Sequence, residues 1–381
     1  MDDQKNSVIT SCSYSQDSST SVPPNGQNQN RVDQSDIDST NSFNKILVIG
    51  LGQLGLPVAK YVKDRGFDVY GYDISTKALE RAEKTAGIKK AINFSGFDVY
   101  IICVSTHRQE DMFSPQIEGI LSIVQDKIAK EAKNGALVSI ESTIPKGTSK
   151  KVFEMLNHRL HVAHAPHRWY ALEEKEHGVN QLRVVGGVCD CCLRAAMQFY
   201  DGAVISTIEE QREVSTPKST SVEATEIKTS ENGNSSGNEH DLINPSIINS
   251  TKNTSLGIPM HPVPEIEIAE LTKIIENAHR YLQIAFAEDL YLYCQANDIN
   301  FAELRDSLNT KWNVNVLEPR EGIGGHCLPK DTKMFLNSSR SIKSKILEAA
   351  IEVDSEYRRT RGLTEQTNSP DTLQEEIQQS S

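Results

Sequence analysis

A glycine-rich loop in the C-terminal third of the chain holds the most reactive side chain in the sequence. The segment GIGGHCLPKD ends at Asp331 and places Cys327 shortly after the glycine pair Gly324 and Gly325, with Lys330 close behind. A glycine pair lets the backbone approach a ligand closely, and a cysteine thiolate is a strong nucleophile. By spacing alone a buried structural cysteine is the commoner explanation, so the hypothesis of a nucleophile depends on companion residues.

An ammonium group and an amide lie four residues apart in a helical segment. Lys273 and Asn277 belong to AELTKIIEN, and residues at this spacing share one face of a helix. Held side by side, the two groups can stabilise a developing oxyanion. Taken alone, a solvated lysine beside a helix amide is the commoner explanation.

A glycine-rich turn near the start of the chain is typical of a phosphate-binding site. In KILVIGLGQLGLPVA a buried strand runs into Gly50, Gly52 and Gly55 and then into a helix, whose N–H groups can bind a pyrophosphate. The next strand ends at Asp73, the spacing at which an acidic residue binds the ribose hydroxyls of NAD. A carboxylate there repels a 2′-phosphate, so the motif predicts NAD rather than NADP as the cofactor.

Short apolar runs alternate with amphipathic stretches of helix length through the first half of the chain. The runs are KILVIG, DVYGYD, DVYIICV, ALVSIE, HVAHAP and LRVVGG. This alternation predicts a parallel sheet wound with helices. After Pro264 the sequence predicts one long helix as far as about Gln295, because apolar residues recur at helical spacing. The predicted fold class is α/β, a Rossmann-type parallel sheet followed by a helical central domain with one long helix.

Composition narrows the possible partners of the chain. The 381 residues carry 40 Lys and Arg against 52 Asp and Glu, a net charge of −12, which argues against nucleic acid as a partner. No apolar run approaches the roughly 18 residues that span a bilayer, and no export signal is recognisable at the N-terminus. The sequence therefore predicts a cytoplasmic protein that is not bound to a membrane, with no disulfide framework among its seven cysteines.

Three polar segments separate or flank two ordered blocks. Their Ser, Thr, Asn and Gln content and their scarcity of aromatic residues predict disorder. The predicted organisation is a disordered tail (1–43), an NAD-binding domain (44–208), a disordered insertion (209–261), a helical central and dimerisation domain (262–361) and a disordered tail (362–381).

Taken in this order, the three motifs resemble those of the UDP-glucose/GDP-mannose dehydrogenase family, the NAD-dependent nucleotide-sugar 6-dehydrogenases. The resemblance covers both ordered blocks, extends to ESTIPKGT and LRVVGG, and is most specific at ENAHRYLQIAFAEDL and GGHCLPKD. The pair His326–Cys327 looks more like members that oxidise UDP-N-acetylhexosamines, such as UDP-N-acetylmannosamine. The implied product is a uronate for polysaccharide or glycan assembly.

The resemblance implies a two-step oxidation of the sugar C6 alcohol to a carboxylate, with two NAD consumed per sugar. The Cys327 thiolate would attack the intermediate aldehyde, and Lys273 and Asn277 would steady the oxygen charge. Asp331 would handle protons and the attacking water, and Thr143 would help to place that water. The implied cofactor-binding residues are Gly50, Gly52, Leu54, Gly55, Asp73, Thr106 and Glu141, and the implied substrate-binding residues are Arg168, Gly324 and Gly325.

Two features depart from the family pattern. His167, in Ala165-Pro166-His167-Arg168, stands where the family usually carries a glutamate, and a histidine there could act as a general base, or hydrolysis of the thioester could be lost. Only about 50 residues follow Asp331, so the family's third domain, which binds the nucleotide, does not fit. A separate subunit could supply it, the two domains with a dimer partner could suffice, or the substrate is not a nucleotide sugar. The long helix resembles the family's dimerisation helix and implies a homodimer.

Two groups of potential metal ligands are interpreted as structural. His158, His161, His164 and His167 recur every three residues along a strand and its loops, so all four cannot converge on one ion. Cys189, Cys191 and Cys192 open a helix with no partner pair at zinc-site spacing. The sequence accordingly predicts no metal.

Two other functions stay open at this stage. A single-step hydroxyacid dehydrogenase shares the architecture but needs no cysteine. A non-catalytic NAD-binding regulator would keep the glycine turn alone, and the presence of Cys327, Lys273, Asn277 and Asp331 argues against it.

Overall fold

A computed structural model describes six stretches of the chain: residues 43–106, 115–168, 178–201, 255–325, 327–338 and 344–363. His326, both predicted disordered tails apart from their innermost residues, and the predicted insertion as far as residue 254 lie outside the described residues. None of the helices in the described stretches has the length and apolarity that crossing a bilayer requires.

The described strands form one sheet. They are β1 (Lys45–Ile49), β2 (Asp68–Tyr72), β3 (Lys89–Lys90), β4 (Val99–Ile102), β5 (Leu137–Ile140), β6 (His161–His164), β7 (Arg183–Gly187) and β8 (Met260–Val263), in the order β3-β2-β1-β4-β5-β6-β7-β8. All six strands expected from the sequence are confirmed. The order reverses beside β1, and at such a switch point the carboxyl ends of the strands leave a crevice for a ligand.

The helices fall into two groups. Those that accompany the sheet are α1 (Gly55–Asp64), α2 (Thr76–Ala86), α3 (Glu118–Ile123) with a π-helical turn (Val124–Ile128) leading to α4 (Ala129–Glu131), α5 (Thr148–Met155) and α6 (Asp190–Tyr200). Those that follow it are α7 (Ile266–Ala296), α8 (Phe301–Leu308), α9 (Cys327–Ser338) and α10 (Lys345–Thr360). The long helix predicted after Pro264 is α7.

Two details of the sheet differ from the sequence prediction. β7 runs antiparallel to β6, with Ala163 opposite Gly187, whereas the sequence pattern predicts parallel strands throughout. β8 pairs parallel with β7, so Met260–Val263 belongs to the sheet, whereas the insertion predicted from the sequence extends to residue 261. The short segment MHPV lacks the apolar alternation that marks the other strands, which is why sequence periodicity missed it.

Alternate residues of the central strands bury opposite faces of the sheet. Ile46 and Val48 pack in one hydrophobic core with α1, α2 and α6, whereas Leu47 and Ile49 pack in the other with α3, α4 and α5. A parallel strand covered on both faces needs this continuous apolar run, and β1 supplies it. The core positions therefore fix where the loop after β1 emerges, at the carboxyl edge of the sheet.

A buried glutamate connects the long helix α7 to the sheet domain. The Glu270 side chain is fully buried and accepts hydrogen bonds from the backbone N–H of Gly147, at 2.6 Å, and of Ser149, at 2.8 Å. Both N–H groups belong to the start of α5, where a helix offers its own N–H groups no acceptor and its dipole favours an anion. Glu270 therefore caps α5 from another domain and sets the position of α7 against the sheet.

We expect Glu270→Ala to lower the free energy of unfolding by about 2–4 kcal/mol, because two buried N–H groups lose their acceptor. Glu270→Gln keeps one acceptor oxygen and should cost about half as much. Urea unfolding followed by circular dichroism measures the change, with the exposed Glu352→Ala on α10 as control. Equal stability of the Glu270 and Glu352 alanine variants would contradict the role of Glu270 as an interdomain cap.

Candidate active site

The glycine turn after β1 is closed by direct backbone contact. Gly50 has φ +88°, a conformation that favours glycine, and a Cβ there would lie 2.6 Å from the carbonyl oxygen of Cys103. A Cβ on Gly55 would lie 1.7 Å from the carbonyl oxygen of Gly50. Gly52 instead faces open space, since a Cβ there would meet no described atom beyond its chain neighbours within 4 Å. The turn is thus tight where helix meets strand and open where a ligand can approach.

Asp73, directly after β2, is hydrogen-bonded to the glycine turn. Its carboxylate accepts hydrogen bonds from the N–H of Leu51, at 2.7 Å, and of Ser75, at 2.8 Å. These bonds hold the carboxylate beside the start of α1, whose first turn contains no acidic residue. The arrangement fits an adenosine ribose on the carboxylate and a pyrophosphate on the helix N-terminus.

One cavity connects this turn to the cysteine loop. It has a volume of about 710 Å³ and is lined at one end by Gly50, Gly52 and Asp73 and at the other by Thr143 and Cys327. Leu54, Thr106 and Lys330 also line it. The cofactor-type motif and the nucleophile, more than 250 residues apart in sequence, therefore open into the same space.

The loop before Cys327 is anchored to the helical domain. Ile323 is buried in a hydrophobic core with Tyr281 of α7, and its N–H donates to the Asp354 carboxylate of α10 at 3.0 Å. The Tyr357 hydroxyl donates to the carbonyl of Arg320 at 2.7 Å. The helical domain thus positions the cysteine, while the sheet domain contains the glycine turn.

Charged groups around Cys327 oppose one another. The residue as a whole is exposed, yet desolvation of its thiol raises the pKa, and the Asp331 carboxylate raises it further. The ammonium groups of Lys330 and Lys273 act in the opposite direction. The free site therefore holds Cys327 mainly as a thiol, with two cations near enough to stabilise a thiolate or an oxyanion.

A hydrogen-bonded chain runs from α7 to the sheet through Asp331. The Asn277 amide donates to Asp331 at 2.5 Å, and the Lys330 ammonium lies 3.2 Å from the other carboxylate oxygen. Lys330 also donates to the Thr106 hydroxyl at 3.3 Å, and that hydroxyl donates to the carbonyl of Thr143 at 2.8 Å. The structure thus connects Asn277, Asp331 and Thr143 through the side chains of Lys330 and Thr106.

A second, fully buried charge cluster lies at the end of β5. The Glu141 carboxylate contacts His167 and accepts a hydrogen bond from the Tyr200 hydroxyl, and Arg183 lies 3.2 Å away. Burial raises the pKa of Glu141, but the attraction of His167 and Arg183 prevails and lowers it to about 2. Burial lowers the pKa of His167 to about 4, and Arg183 acts in the same direction. At neutral pH a neutral imidazole therefore lies against an ionised carboxylate.

Several residues predicted for the site occupy other positions. Glu141 and His167 are absent from the lining of the cavity, because both are buried in the charge cluster that they form together. Arg168 forms an ion pair with Glu276 of α7 and donates to the carbonyl of Leu182. For His167, a pKa of about 4 makes a weak base at neutral pH, so the geometry does not support the general-base role that was predicted for it.

The glycines of the predicted site divide in the same way. Gly50 and Gly52 line the cavity, whereas Gly55 shapes the turn from behind. Gly324 and Gly325 are exposed just before Cys327, and Gly325 has φ +70°. Arg183 and Tyr200 were not predicted from the sequence, and the arginine inside the apolar strand LRVVGG was the available signal.

Comparison with known proteins gives two matches to one family. The profile of the UDP-glucose/GDP-mannose dehydrogenase family, NAD binding domain, matches residues 80–204, and the profile of the same family's central domain matches residues 267–356. The first match lies in the first of the two ordered blocks predicted from the sequence, and the second match lies in the other. The first match supports NAD as the cofactor of the cavity described above.

Two of the curated relatives carry the same name. UDP-N-acetyl-D-mannosamine dehydrogenase of Methanococcus maripaludis is 26% identical over 332 residues, which cover 81% of this chain and 65% of the relative. The enzyme of the same name from Campylobacter jejuni is 27% identical, covering 82% of this chain and 72% of the relative. The chain therefore spans about 65% of the length of the first of these relatives.

Solved structures share the fold. UDP-D-ManNAc dehydrogenase from Pyrococcus horikoshii superposes with a TM-score of 0.59 at 25% identity, covering 82% of this chain and 68% of that one. NDP-N-acetyl-D-galactosaminuronic acid dehydrogenase from Methanosarcina mazei Go1 superposes with a TM-score of 0.58 at 21% identity, covering 83% and 67%. The combination of a Rossmann-type sheet and a helical central domain is thus confirmed as the fold class.

The charges around Cys327 predict the pH dependence of its alkylation. We expect the rate of reaction with iodoacetamide to rise with pH through a midpoint above the usual cysteine pKa, since only the thiolate reacts. Asp331→Asn should lower the midpoint because it removes a negative charge, and Lys330→Met should raise it because it removes a positive one. Mass spectrometry of the peptide that contains Cys327 follows the reaction. Midpoints that stay unchanged in both variants would contradict this description of the site.

Proposed function

The chain belongs to the UDP-glucose/GDP-mannose dehydrogenase family, and on that premise we propose that it oxidises the C6 alcohol of a nucleotide sugar to the uronate with NAD as oxidant. The observation that carries the proposal is the single cavity that is lined by Gly50, Gly52 and Asp73 at one end and by Cys327 at the other. A cysteine nucleophile that shares one space with a bound cofactor can capture the oxidised carbon covalently, as this reaction requires.

The proposed substrate is UDP-N-acetylmannosamine. Two observations support it: the names of the relatives, and the pair His326–Cys327, of which His326 lies outside the described residues. The product, an N-acetylhexosaminuronate on a nucleotide, would serve polysaccharide or glycan assembly.

In the proposed first oxidation, the C6–H bond breaks, the hydroxyl proton is released and an aldehyde forms. NAD supplies the hydride acceptor, one molecule for each of the two oxidations. Asp331 can receive the proton, since its carboxylate is held between the Asn277 amide and the Lys330 ammonium. Residues at the glycine turn and Asp73 orient the cofactor.

In the proposed second stage, Cys327 forms a bond to the aldehyde carbon and the carbonyl oxygen takes a proton, which gives a thiohemiacetal. Loss of the remaining C6 hydride and of the hydroxyl proton then leaves a thioester on the sulfur. Lys273, whose charge acts on Cys327, can stabilise the negative oxygen at each tetrahedral stage. Water adds to the thioester carbon and the C–S bond breaks, so that the sugar leaves as a carboxylate, one proton of the water goes to the sulfur to restore the thiol, and the other is released.

The stoichiometry of NADH tests this proposal. Purified protein with UDP-N-acetylmannosamine, within a panel of UDP- and GDP-sugars, should form two NADH per sugar, and Cys327→Ala should abolish uronate formation while NAD binding persists. Absorbance of NADH and mass spectrometry of the sugar product provide the measurements. Cys294→Ala, a buried cysteine of α7 in another part of the fold, is the matched control.

Other outcomes favour other functions. One NADH per substrate, unaffected by Cys327→Ala, would contradict the thioester route and favour a single-step dehydrogenase. Absence of turnover on every sugar nucleotide, with NAD binding retained, would contradict the activity for this chain alone and favour a separate subunit that completes the site or a binding protein without catalysis.

We also propose that two copies of the chain associate through α7. An exposed apolar stripe on this helix consists of Ile268, Ile275, Phe286 and Tyr293, which are 40–59% exposed. Their spacings of seven, eleven and seven residues return to one face of the helix, and the stripe extends for about 37 Å along it. An exposed apolar stripe of this length on one helix supports a helix-to-helix contact between two copies.

Phe286→Glu should place a charge in the centre of that contact and raise the dissociation constant of the dimer by about 30-fold or more. Light scattering after size-exclusion chromatography over a range of concentrations measures the mass. Ile92→Glu, at an exposed apolar position of the sheet domain, should leave the dimer intact. A monomeric wild-type protein, or a variant with unchanged mass, would contradict the proposed interface.

A further inference from the structure

A cluster of three cysteines and one histidine lies away from the cavity. The sulfur atoms of Cys189, Cys191 and Cys192 and an imidazole nitrogen of His158 all lie within 4.8 Å of one another. We propose that these four side chains bind a structural Zn²⁺ ion. In the sequence the histidines and the cysteines form two separate groups, and neither group alone predicts a metal site. The fold joins one member of the histidine series to all three cysteines.

The distances suit a tetrahedral site. The His158 Nε2 atom lies 3.6 Å from the Cys189 sulfur and 3.5 Å from the Cys191 sulfur. Zinc–sulfur and zinc–nitrogen bonds of about 2.3 and 2.0 Å place such ligand atoms roughly 3.5 Å apart in a tetrahedron. The Cys189 sulfur lies 3.1 Å from that of Cys191 and 3.2 Å from that of Cys192, so an ion between them would widen these pairs by about 0.6 Å.

The backbone presents the four ligands from two segments. Cys189 is the N-cap of α6, and Cys191 and Cys192 lie in its first turn, where the positive end of the helix dipole stabilises thiolates. His158 follows α5 in a turn where Asn157 and His158 both have positive φ, 50° and 52°. Two successive non-glycine residues in this conformation are uncommon, and here they turn the imidazole toward the cysteines.

A backbone donor supports the sulfur ligands. The N–H of Val162 on β6 donates to the sulfur of the buried Cys192 at 3.3 Å. Such N–H···S contacts are typical of the groups around metal-bound thiolates, since they stabilise negative charge on sulfur. The ring of Phe153 on α5 packs against His158, with 4.6 Å between ring centroids, and limits its rotation.

The position in the fold indicates a structural role. β7 runs antiparallel to β6, so Cys189, just after β7, lies at the amino end of β6. The cavity instead lies at the carboxyl ends of β1, β2 and β4. Four protein ligands complete a tetrahedral shell and leave no position for substrate, as is typical of structural zinc sites. The ion would join the turn after α5 to the start of α6.

Metal analysis of the full-length protein tests the proposal. Wild-type protein that is purified under reducing conditions, supplied with Zn²⁺ and desalted should retain about one zinc ion per chain. His158→Ala and Cys191→Ser should retain less than about a tenth of that amount, because each removes a ligand. His261→Ala and Cys294→Ala, which lie outside the cluster, should retain it fully.

Cobalt supplies a readout that does not depend on the variants. Co²⁺ added to the chelator-treated wild type should produce the absorption bands of a tetrahedral cobalt–thiolate complex, with saturation at about one equivalent. Removal of zinc should lower the melting temperature of the wild type but not that of His158→Ala. Wild-type protein that retains no zinc and gives no cobalt bands would overturn the proposal, as would a disulfide between two of these cysteines in protein purified under reducing conditions.

Discussion

The ionised carboxylate of Glu141 is the constraint around which the sheet domain is arranged. A buried charge without partners would cost several kcal/mol. Here the segment after β6, the start of β7 and the end of α6 supply His167, Arg183 and Tyr200 as its partners. Ser142 and Thr143 follow Glu141 directly and line the cavity. The buried cluster therefore fixes the wall of the active site, although it lies outside the cavity itself.

Two domains are needed because neither holds a complete site. The carboxyl edge of the sheet supplies a tight turn, the Asp73 carboxylate and the Thr106–Thr143 pair. The helical domain supplies Lys273, Asn277 and the Cys327 loop. Glu270 of α7 caps α5 on the sheet domain and thereby sets the position of the helical domain against the sheet. The position of Cys327 relative to the sheet thus depends on packing that is remote from it.

Local sequence patterns predicted the strands and helices, whereas contacts between segments that are distant in sequence could not be predicted from such patterns. Apolar runs identified the six main strands, and helical spacing identified α7, because burial imposes these periods directly. The antiparallel direction of β7 and the pairing of β8 depend on chain topology. The sequence predicted His167 as a residue of the site, but in the structure its imidazole contacts Glu141 in the buried charge cluster. The sequence alone does not show which side chain a buried imidazole contacts. His158 and the three cysteines were each visible, and only the fold joins them.

The most direct test of the account is a crystal structure of the protein with NAD bound. The account predicts that the pyrophosphate lies at the Gly50–Gly55 turn, that a ribose contacts Asp73, and that the nicotinamide end occupies the part of the cavity lined by Thr143 and Cys327. A cofactor bound elsewhere, or a nicotinamide directed away from Cys327, would contradict the claim that one cavity unites the cofactor with the nucleophile.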